Sequence, residues 1–289
     1  MLSSHRHIAP LTCAMFFIAT VQVSAQVIKE VDRTTERELK VNLSSSFGSV
    51  RICKSDDQKF IKLSGRSADG ATYDVSYTVQ NRIGYLELSL GSNDQSREGK
   101  HTGVSLDNFK SHDWVLQIGD DVPVSLEIEM GVGKGDLNLT GLNVKDLNIS
   151  SGASDVLLAF DQPNESIIEN LNIESGVSKF YARNLGNANF RHLRFQGGVG
   201  TFTLDFSGRM RKETDVDVEV GMGVAALMIP WEVGAKVEYE QNWVSTVDCS
   251  DDFTSSSDSE YTSKNYETAG SKMSIRIESG VGSIRIRRP

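Results

Sequence analysis

The sequence predicts an all-β solenoid, in which coils of about 22 residues stack on one another. A short phrase with a central glycine recurs along the second half of the chain. Its copies are centred on Gly131, Gly152, Gly176, Gly198, Gly221 and Gly280. The first five of these glycines are 21, 24, 22 and 23 residues apart, and apolar residues alternate with polar ones on both sides of each. A repeat of this length, with this alternation, is typical of stacked β-coils.

Each copy of the phrase predicts two short strands that meet at a tight corner. The copy Leu171-Asn-Ile-Glu-Ser-Gly176-Val-Ser shows the pattern: alternation, then a small residue, one apolar residue and another small residue. Glycine permits the positive φ and the close backbone approach that a repeated corner needs. The apolar residue at each corner is expected to point inward and stack on its neighbours. These residues are Val132, Ala153, Val177, Val199, Met222 and Val281.

Residues 1–25 are interpreted as a secretory signal peptide. The weakly basic start at residues 5–7 is followed by an apolar run over residues 8–23, and Val23-Ser-Ala25 supplies the small residues that a signal peptidase reads. A signal is favoured over a membrane anchor, and no later stretch is apolar and long enough to span a bilayer. The chain is therefore expected to be exported.

Two segments follow the predicted signal. Residues 26–112 are expected to form an N-terminal β segment with the first coils, because residues 41–52 repeat the glycine phrase in degenerate form and residues 73–79 and 83–90 alternate. Residues 113–289 are expected to form the regular solenoid.

The regular repeat is interrupted once, because Gly221 and Gly280 are 59 residues apart. The extra length is assigned to an inserted acidic loop over residues 238–272, which is too polar for the core and is expected to be a projecting loop or a hairpin with a mobile tip. Residues 273–288 are expected to close the stack. The arginines of that last strand would then keep its exposed edge from pairing with other chains.

The formal net charge of −9 argues against nucleic acid as a partner, because an acidic chain repels phosphate backbones. Two cysteines follow the predicted signal, Cys53 and Cys249. They either pair as a disulfide or stay free, and their positions in the sequence do not decide between the two.

No catalytic, metal or cofactor site is predicted. Asp136, Asp155, Lys179 and Thr201 occupy comparable places on successive coils, as the active-site residues of solenoid polysaccharide lyases would. They are better explained as the solvent-facing residues of half-buried strands, since no coil concentrates carboxylates. The histidines at 101, 112 and 192 lack metal-ligand spacing.

The predicted binding residues are Trp231, Trp243, Asp251 and Asp252, in and near the insertion. The two tryptophans offer flat apolar surfaces on which a sugar ring can stack. The alternative is that they cap the hydrophobic stack. The two aspartates belong to an acidic run that is interpreted as a charged loop in preference to a calcium site, because it lacks the ordered spacing of a calcium loop.

The phrase Pro123-Val-Ser-Leu-Glu-Ile-Glu-Met-Gly131-Val-Gly-Lys-Gly-Asp-Leu-Asn-Leu, with its later copies, resembles a known bacterial family. It is similar to the toastrack, or putative adhesin, domains, which are related to the C-terminal domain of LiaF-type cell-envelope stress proteins. The resemblance covers roughly residues 41–288 and is closest over residues 114–236. It implies a right-handed, single-chain β-solenoid in a bacterial envelope, and it implies no catalytic residues.

These observations favour a non-enzymatic, exported protein of the bacterial periplasm or cell surface. It would serve as a scaffold or an adhesin-like binding surface for a glycan or another envelope protein. Two alternatives remain open: a carbohydrate-active enzyme of the polysaccharide lyase kind, and an envelope-stress sensing module that acts through a partner.

Overall fold

A computed structural model describes residues 26–57, 59–67, 72–92, 112–240, 244–257 and 259–289. The predicted signal peptide lies outside these residues. Sixteen strands are described, and a short 3-10 turn at Leu185–Ala188 lies between two of them. The strands are β1 Gln26–Val31, β2 Glu38–Lys54, β3 Ile61–Ser67, β4 Thr72–Gln80, β5 Ile83–Ser92, β6 His112–Ile118, β7 Val124–Asn138, β8 Val144–Ala159, β9 Ile168–Arg183, β10 Phe190–Asp205, β11 Glu213–Met228, β12 Val233–Tyr239, β13 Ser245–Cys249, β14 Phe253–Ser257, β15 Glu260–Ser263 and β16 Ser271–Arg287. Within the described ranges, no helix is both long and apolar enough to cross a membrane.

The centre of the molecule is a parallel stack of seven long strands, in the order β2, β7, β8, β9, β10, β11 and β16. Equivalent residues of the repeat face each other, so that Leu171 lies beside Leu193 and Leu193 beside Val216. Each strand is 15 to 17 residues long and is bent near its middle at the repeated glycine. The predicted all-β solenoid is confirmed.

The interior is filled by alternate residues from both halves of each strand. Leu171 and Ile173 on the first half of β9, and Phe180 on its second half, are each no more than 1% exposed. The aromatic rings interlock within and between coils, since Phe195 meets Phe202 on its own strand and Phe180 on β9 edge-on, at centroid distances of 5.3 and 5.6 Å. Like side chains thus stack into one elongated core, which supplies the burial that a single coil lacks.

The direction of the corner residues was predicted wrongly. Val177 is 63% exposed, and Val132, Val199, Met222 and Val281 are also exposed. The reason is an extra residue at each bend. Ser175 and Ser178 on β9 are both buried, and two residues, Gly176 and Val177, lie between them on the outside where strict alternation allows one. The apolar residues therefore form an exposed ridge along the corner instead of an inner column.

Antiparallel strands cover the N-terminal end of the stack. β5 pairs with the first half of β2 and β6 with its second half, so together they form one more parallel coil. β4 then pairs antiparallel with β5, and β3 pairs antiparallel with β6. β1 covers β3, also antiparallel. These strands lie in residues 26–118, and the division of the chain at residues 112 and 113 stays a prediction.

At the C-terminal end, the structure corrects two expectations about the insertion and the last strand. β16 is not an edge, because it lies between β11 on one side and both β12 and β13 on the other. The segment that was expected to be a loop or a hairpin outside the core contains β13, β14 and β15. The hairpin of β14 and β15 covers β12, and Phe253 on β14 is buried against the core. A few apolar residues in a polar segment suffice to end the stack.

Candidate functional site

The outer face of the second strand halves is the most regular surface of the molecule. After each glycine corner, every second residue of the strand points inward, and the residues between them point outward. On β9, Phe180 is buried while its neighbours Lys179 and Tyr181 are exposed. The parallel register then repeats each outward position from coil to coil at the strand spacing of about 4.8 Å.

Two rows of side chains run along this face, parallel to the stacking axis. The first row is mainly charged or hydroxylated and consists of Ser49, Lys134, Asp155, Lys179 and Thr201. The second row lies two residues further along each strand and consists of Arg51, Asp136, Leu157, Tyr181 and Thr203. We refer to these ten residues as the outer-face rows.

The register both confirms and corrects the predicted alignment of this face. Asp155, Lys179 and Thr201 do share one row, but Asp136 lies in the other row, and Lys134 takes the place assigned to it. Counting from the anchor glycines would have given this result. The first row lies three residues after each glycine and the second row five residues after it, which also would have brought Leu157 and Tyr181 into the site.

Opposite charges alternate on the outer-face rows. Arg51 donates from Nε to Asp136 Oδ2 at 2.9 Å, and both side chains are about half exposed. Asp155 is flanked in the register by Lys134 and Lys179. Each carboxylate of this face therefore lies beside a cation.

The outer-face rows border a shallow depression of about 740 Å³, with Leu157 and Tyr181 at its centre. The Tyr181 side chain is 40% exposed and offers its ring to solvent. Among the residues that the structure describes, no group of three or more His, Cys, Asp or Glu side chains is placed to hold a metal ion. The arrangement provides apolar contact in the middle and hydrogen-bonding groups around it, which is the usual make-up of a ligand site.

The predicted binding residues near the insertion differ in exposure. Some are exposed, and one makes an ion pair inside the fold. Trp231 is 60% exposed, and its Nε1 donates to the carbonyl oxygen of Pro289 at 3.1 Å. Asp252, in contrast, is held by Arg288, whose Nε donates to Asp252 Oδ2 at 2.8 Å. Asp251 is exposed, and its carbonyl oxygen accepts from Lys264 Nζ at 3.1 Å. Trp243 lies outside the described residues.

The surroundings of Arg288 explain the structural role of Asp252. Its side chain is only 2% exposed, and its NH1 donates to the carbonyl oxygens of Pro230 at 2.6 Å and Val233 at 3.0 Å. The guanidinium also lies 5.0 Å from the ring centroid of Phe253. A buried cation of this kind needs a counter-charge, so Asp252 serves the attachment of the insertion to the stack.

The histidines of the described residues lie on strands. His192 lies on β10, and its Nδ1 is 3.2 Å from Asp215 Oδ2. His112 begins β6, where burial lowers the pKa of its ring. His101 lies outside the described residues.

The two cysteines are free. Cys53 lies on β2 and Cys249 on β13, and six strands separate β2 from β13 in the sheet. At about 4.8 Å per strand the two residues are about 34 Å apart, far beyond the reach of a disulfide. Burial raises the pKa of both thiols, that of Cys249 to about 12, so neither is a reactive thiolate near neutral pH.

Comparison with known proteins bears on the family of the chain. The model of the N-terminal domain of toast_rack, DUF2154, matches residues 19–180 and 162–228. Together these matches span residues 19–228, more than half of the 289 residues. No curated protein matches the sequence.

Three solved structures are similar over most of the chain. A putative cell adhesion protein from Clostridium sporogenes ATCC 15579 is 21% identical, with a TM-score of 0.48, and 92% of this chain and 100% of that chain are covered. A putative adhesin from Bacteroides fragilis NCTC 9343 is 16% identical, with a TM-score of 0.33 and coverage of 92% and 100%. A putative lipid binding protein from Parabacteroides distasonis ATCC 8503 is 11% identical, with a TM-score of 0.29 and coverage of 91% and 96%. All three TM-scores lie below 0.5, and nothing about the function of this chain is inferred from them.

Proposed function

This chain belongs to the toast_rack family, and we propose that it is a non-enzymatic, adhesin-like protein that binds an extended glycan on its outer-face rows. The proposal includes export to the periplasm or surface of a bacterium, for which the predicted signal peptide is the support. The observation that carries it is the depression of about 740 Å³, where the exposed ring of Tyr181 is surrounded by charged and hydroxyl side chains in register.

The chemistry of these rows suits a sugar chain. Pyranose rings present apolar C–H faces and a rim of hydroxyls, so they need a flat apolar contact together with donors and acceptors. Tyr181 and Leu157 supply the contact, while Asp155, Lys179 and Thr201 supply the polar groups in the adjacent row. The positions of both rows repeat at about 4.8 Å along the stacking axis, which is close to the length of one sugar unit. Successive units of a linear glycan along this axis can therefore contact successive coils.

The same face favours binding over catalysis. Its carboxylates lie beside Arg51, Lys134 and Lys179, which compensate their charge. A glycosidase keeps one carboxyl protonated as a general acid next to a second that is ionised, and a neighbouring cation opposes that protonation. The proposed protein therefore holds its ligand without cleaving it.

The test is binding of the full chain to immobilised bacterial envelope polysaccharides, measured for the unchanged protein and for two single variants. Tyr181→Ala removes the ring at the centre of the outer-face rows, and we expect a loss of affinity of about tenfold, since stacking contacts contribute about 1 kcal/mol or more. Trp231→Ala removes the exposed ring near the insertion, and we expect it to bind as the unchanged protein does.

Other outcomes are equally informative. Loss of binding in Trp231→Ala but not in Tyr181→Ala would move the site to the insertion. Release of shorter sugar chains during the assay would show an enzyme, and capture of an envelope protein with no glycan binding would contradict the glycan part of the proposal. Val79→Ala, which changes a similarly exposed residue on β4, controls for unspecific effects.

A further inference from the structure

The loops between coils enclose a second depression, of about 850 Å³, on a part of the surface that the outer-face rows do not reach. Its walls come from the loop before β9, the 3-10 turn before β10 and the loop before β11. Pro163 and Met210 contribute apolar surface, and the remaining lining is polar or charged. We refer to this depression as the loop cleft.

Two asparagines fix the shape of the loop cleft. Asn187 donates from Nδ2 to the Phe160 carbonyl oxygen at 2.8 Å, and its Oδ1 accepts from the backbone N–H of Arg209 at 2.9 Å. Asn189 donates from Nδ2 to the Ser166 carbonyl oxygen at 2.8 Å. The three loops are thereby tied to one another, so the cleft is held open before any ligand arrives, which lowers the entropy cost of binding.

The loop cleft is cationic in a chain that is acidic as a whole. Its lining includes Arg191, Arg209, Arg211 and Lys212, against the two carboxylates of Glu165 and Glu213. The formal net charge of the complete chain is −9. Four cations in one cleft of such a protein form a local positive field that attracts anions.

Three of these cations lack a counter-charge. Arg191 forms an ion pair with Glu169 at 3.0 Å. Arg211 instead donates from NH1 to the neutral amide oxygen of Asn189 at 2.8 Å. No ion pair or hydrogen bond joins the side chains of Arg209 or Lys212 to any residue in the described part of the chain. Like charges this close in sequence repel one another, and an anion between them removes that repulsion.

We propose that the loop cleft binds an acidic sugar, whose carboxylate or phosphate oxygens are held by Arg209, Arg211 and Lys212. The guanidinium group of arginine presents paired donors that match the oxygens of either anion. Pro163 and Met210 provide the apolar contact that a sugar ring needs beside its charged group. A long polyanion such as nucleic acid is repelled by the acidic remainder of the chain, so a short acidic sugar with few charges fits better.

The experiment is isothermal titration calorimetry of the full chain with trigalacturonate, with glucose 6-phosphate, with neutral galactotriose and with inorganic phosphate. Trigalacturonate tests the binding of a sugar carboxylate, and glucose 6-phosphate tests the binding of a sugar phosphate. We expect at least one acidic sugar to bind, with an affinity that falls as salt rises, and we expect the neutral trisaccharide to bind at least about tenfold more weakly.

The variants Arg209→Gln and Lys212→Gln each remove one of the uncompensated charges, and each is expected to weaken binding by about tenfold. Arg194→Gln, on the exposed face of β10, makes the same change of net charge elsewhere and is expected to leave binding unchanged. All three positions are exposed, so the fold is expected to survive, and circular dichroism checks this.

Equal binding of neutral galactotriose, equal weakening by Arg194→Gln, or binding of inorganic phosphate with neither acidic sugar would each overturn the proposal. Acidic-sugar binding in the loop cleft is independent of glycan binding on the outer-face rows. A chain that loses acidic-sugar binding in Arg209→Gln but not in Tyr181→Ala supports the loop cleft, whatever the outer-face rows bind.

Discussion

At the scale of single residues, Glu36 is a carboxylate that the fold holds with hydrogen bonds from two other residues. It lies in the segment that joins β1 to β2 in the chain, and it is almost fully buried. The Tyr77 hydroxyl donates to its Oε1 at 2.6 Å, and the Thr34 backbone N–H donates to its Oε2 at 2.7 Å. Burial by itself raises the pKa of this carboxyl, but the hydrogen bonds outweigh burial and lower the pKa from 4.5 to about 2.

This lowered pKa makes part of the stability dependent on pH. A group whose pKa is lower in the folded chain contributes fully above its unfolded value and loses its contribution as the pH falls through the folded value. The contribution of Glu36 is therefore complete above about pH 5 and is lost between about pH 4.5 and pH 2.

The variant Glu36→Gln tests this dependence through thermal unfolding at several pH values. At pH 7 we expect its Tm to lie at least about 2 °C below that of the unchanged protein, the shift that about 1 kcal/mol produces in a chain of this size. The difference should shrink on acidification and vanish near pH 2. Glu127→Gln, on the exposed face of β7, is the control, and a Tm difference at Glu36 that is constant with pH would contradict the expectation.

At the scale of elements, the bend in each long strand depends on glycines that lie against the backbone of the preceding coil. Gly223 has a φ of +134°, which side chains on L residues rarely allow. A Cβ at this position would lie 2.0 Å from the carbonyl oxygen of Gly200 in the neighbouring coil. Because the obstacle is backbone, the coils themselves would have to separate to make room.

We therefore expect Gly223→Ala to destabilise the chain by about 2 kcal/mol or more, from the strained φ together with the displaced coil. Denaturant unfolding followed by tryptophan fluorescence measures this change. Gly270→Ala is the matched control, since a Cβ at Gly270 would meet no atom within 4 Å. Equal stability of the two variants would show that the bend does not need glycine.

The elements also show how far the sequence predicts this fold. The glycine spacing and the alternation predict the long coils because both express local requirements, close approach at the bend and burial of one face. The direction of Val177 was not predictable in this way, because one extra residue at the bend changes the phase of the alternation. The row of Asp136, in contrast, was predictable, because Asp136 lies five residues after Gly131 whereas Asp155 lies three residues after Gly152.

The candidate site was predicted less completely than the coils. Lys179 and Thr201 were placed on one face, but they were interpreted as ordinary solvent-facing residues. Tyr181 was missed, although it lies five residues after its anchor glycine, as Asp136 does. Asp252 was expected to be available for binding, and its contact with Arg288 arises from two segments 36 residues apart. The loop cleft joins three loops of irregular sequence, and only their stacking brings its cations together.

At the scale of the whole molecule, the insertion serves as the C-terminal cover of the stack. β13 lies along the second half of β16, and the hairpin of β14 and β15 lies along β12. Arg288 holds this cover down through Asp252. Without the cover, one side of β16 would present unpaired backbone groups, which invite pairing with other chains.

Replacing residues 245–263 by a short glycine-serine linker tests this role. We expect the shortened chain to lose several degrees of Tm and to form oligomers or aggregates, because the edge of β16 is open and Phe253 no longer covers the core. Size-exclusion chromatography with light scattering measures the change. A shortened chain that stays monomeric, with an unchanged Tm, would restore the expectation of a loop that the core does not use.

The position of β16 between β11 and the β12–β13 coil also constrains the order in which the chain is assembled. β16 leaves the ribosome after the other described strands, yet it must occupy a place inside the stack, beside neighbours that were made before it. β12 has no long strand to pair with until residues 271–287 arrive. A chain in which residues 271–287 are missing or not yet synthesised thus keeps an incomplete stack, and the arrival of β16 completes it.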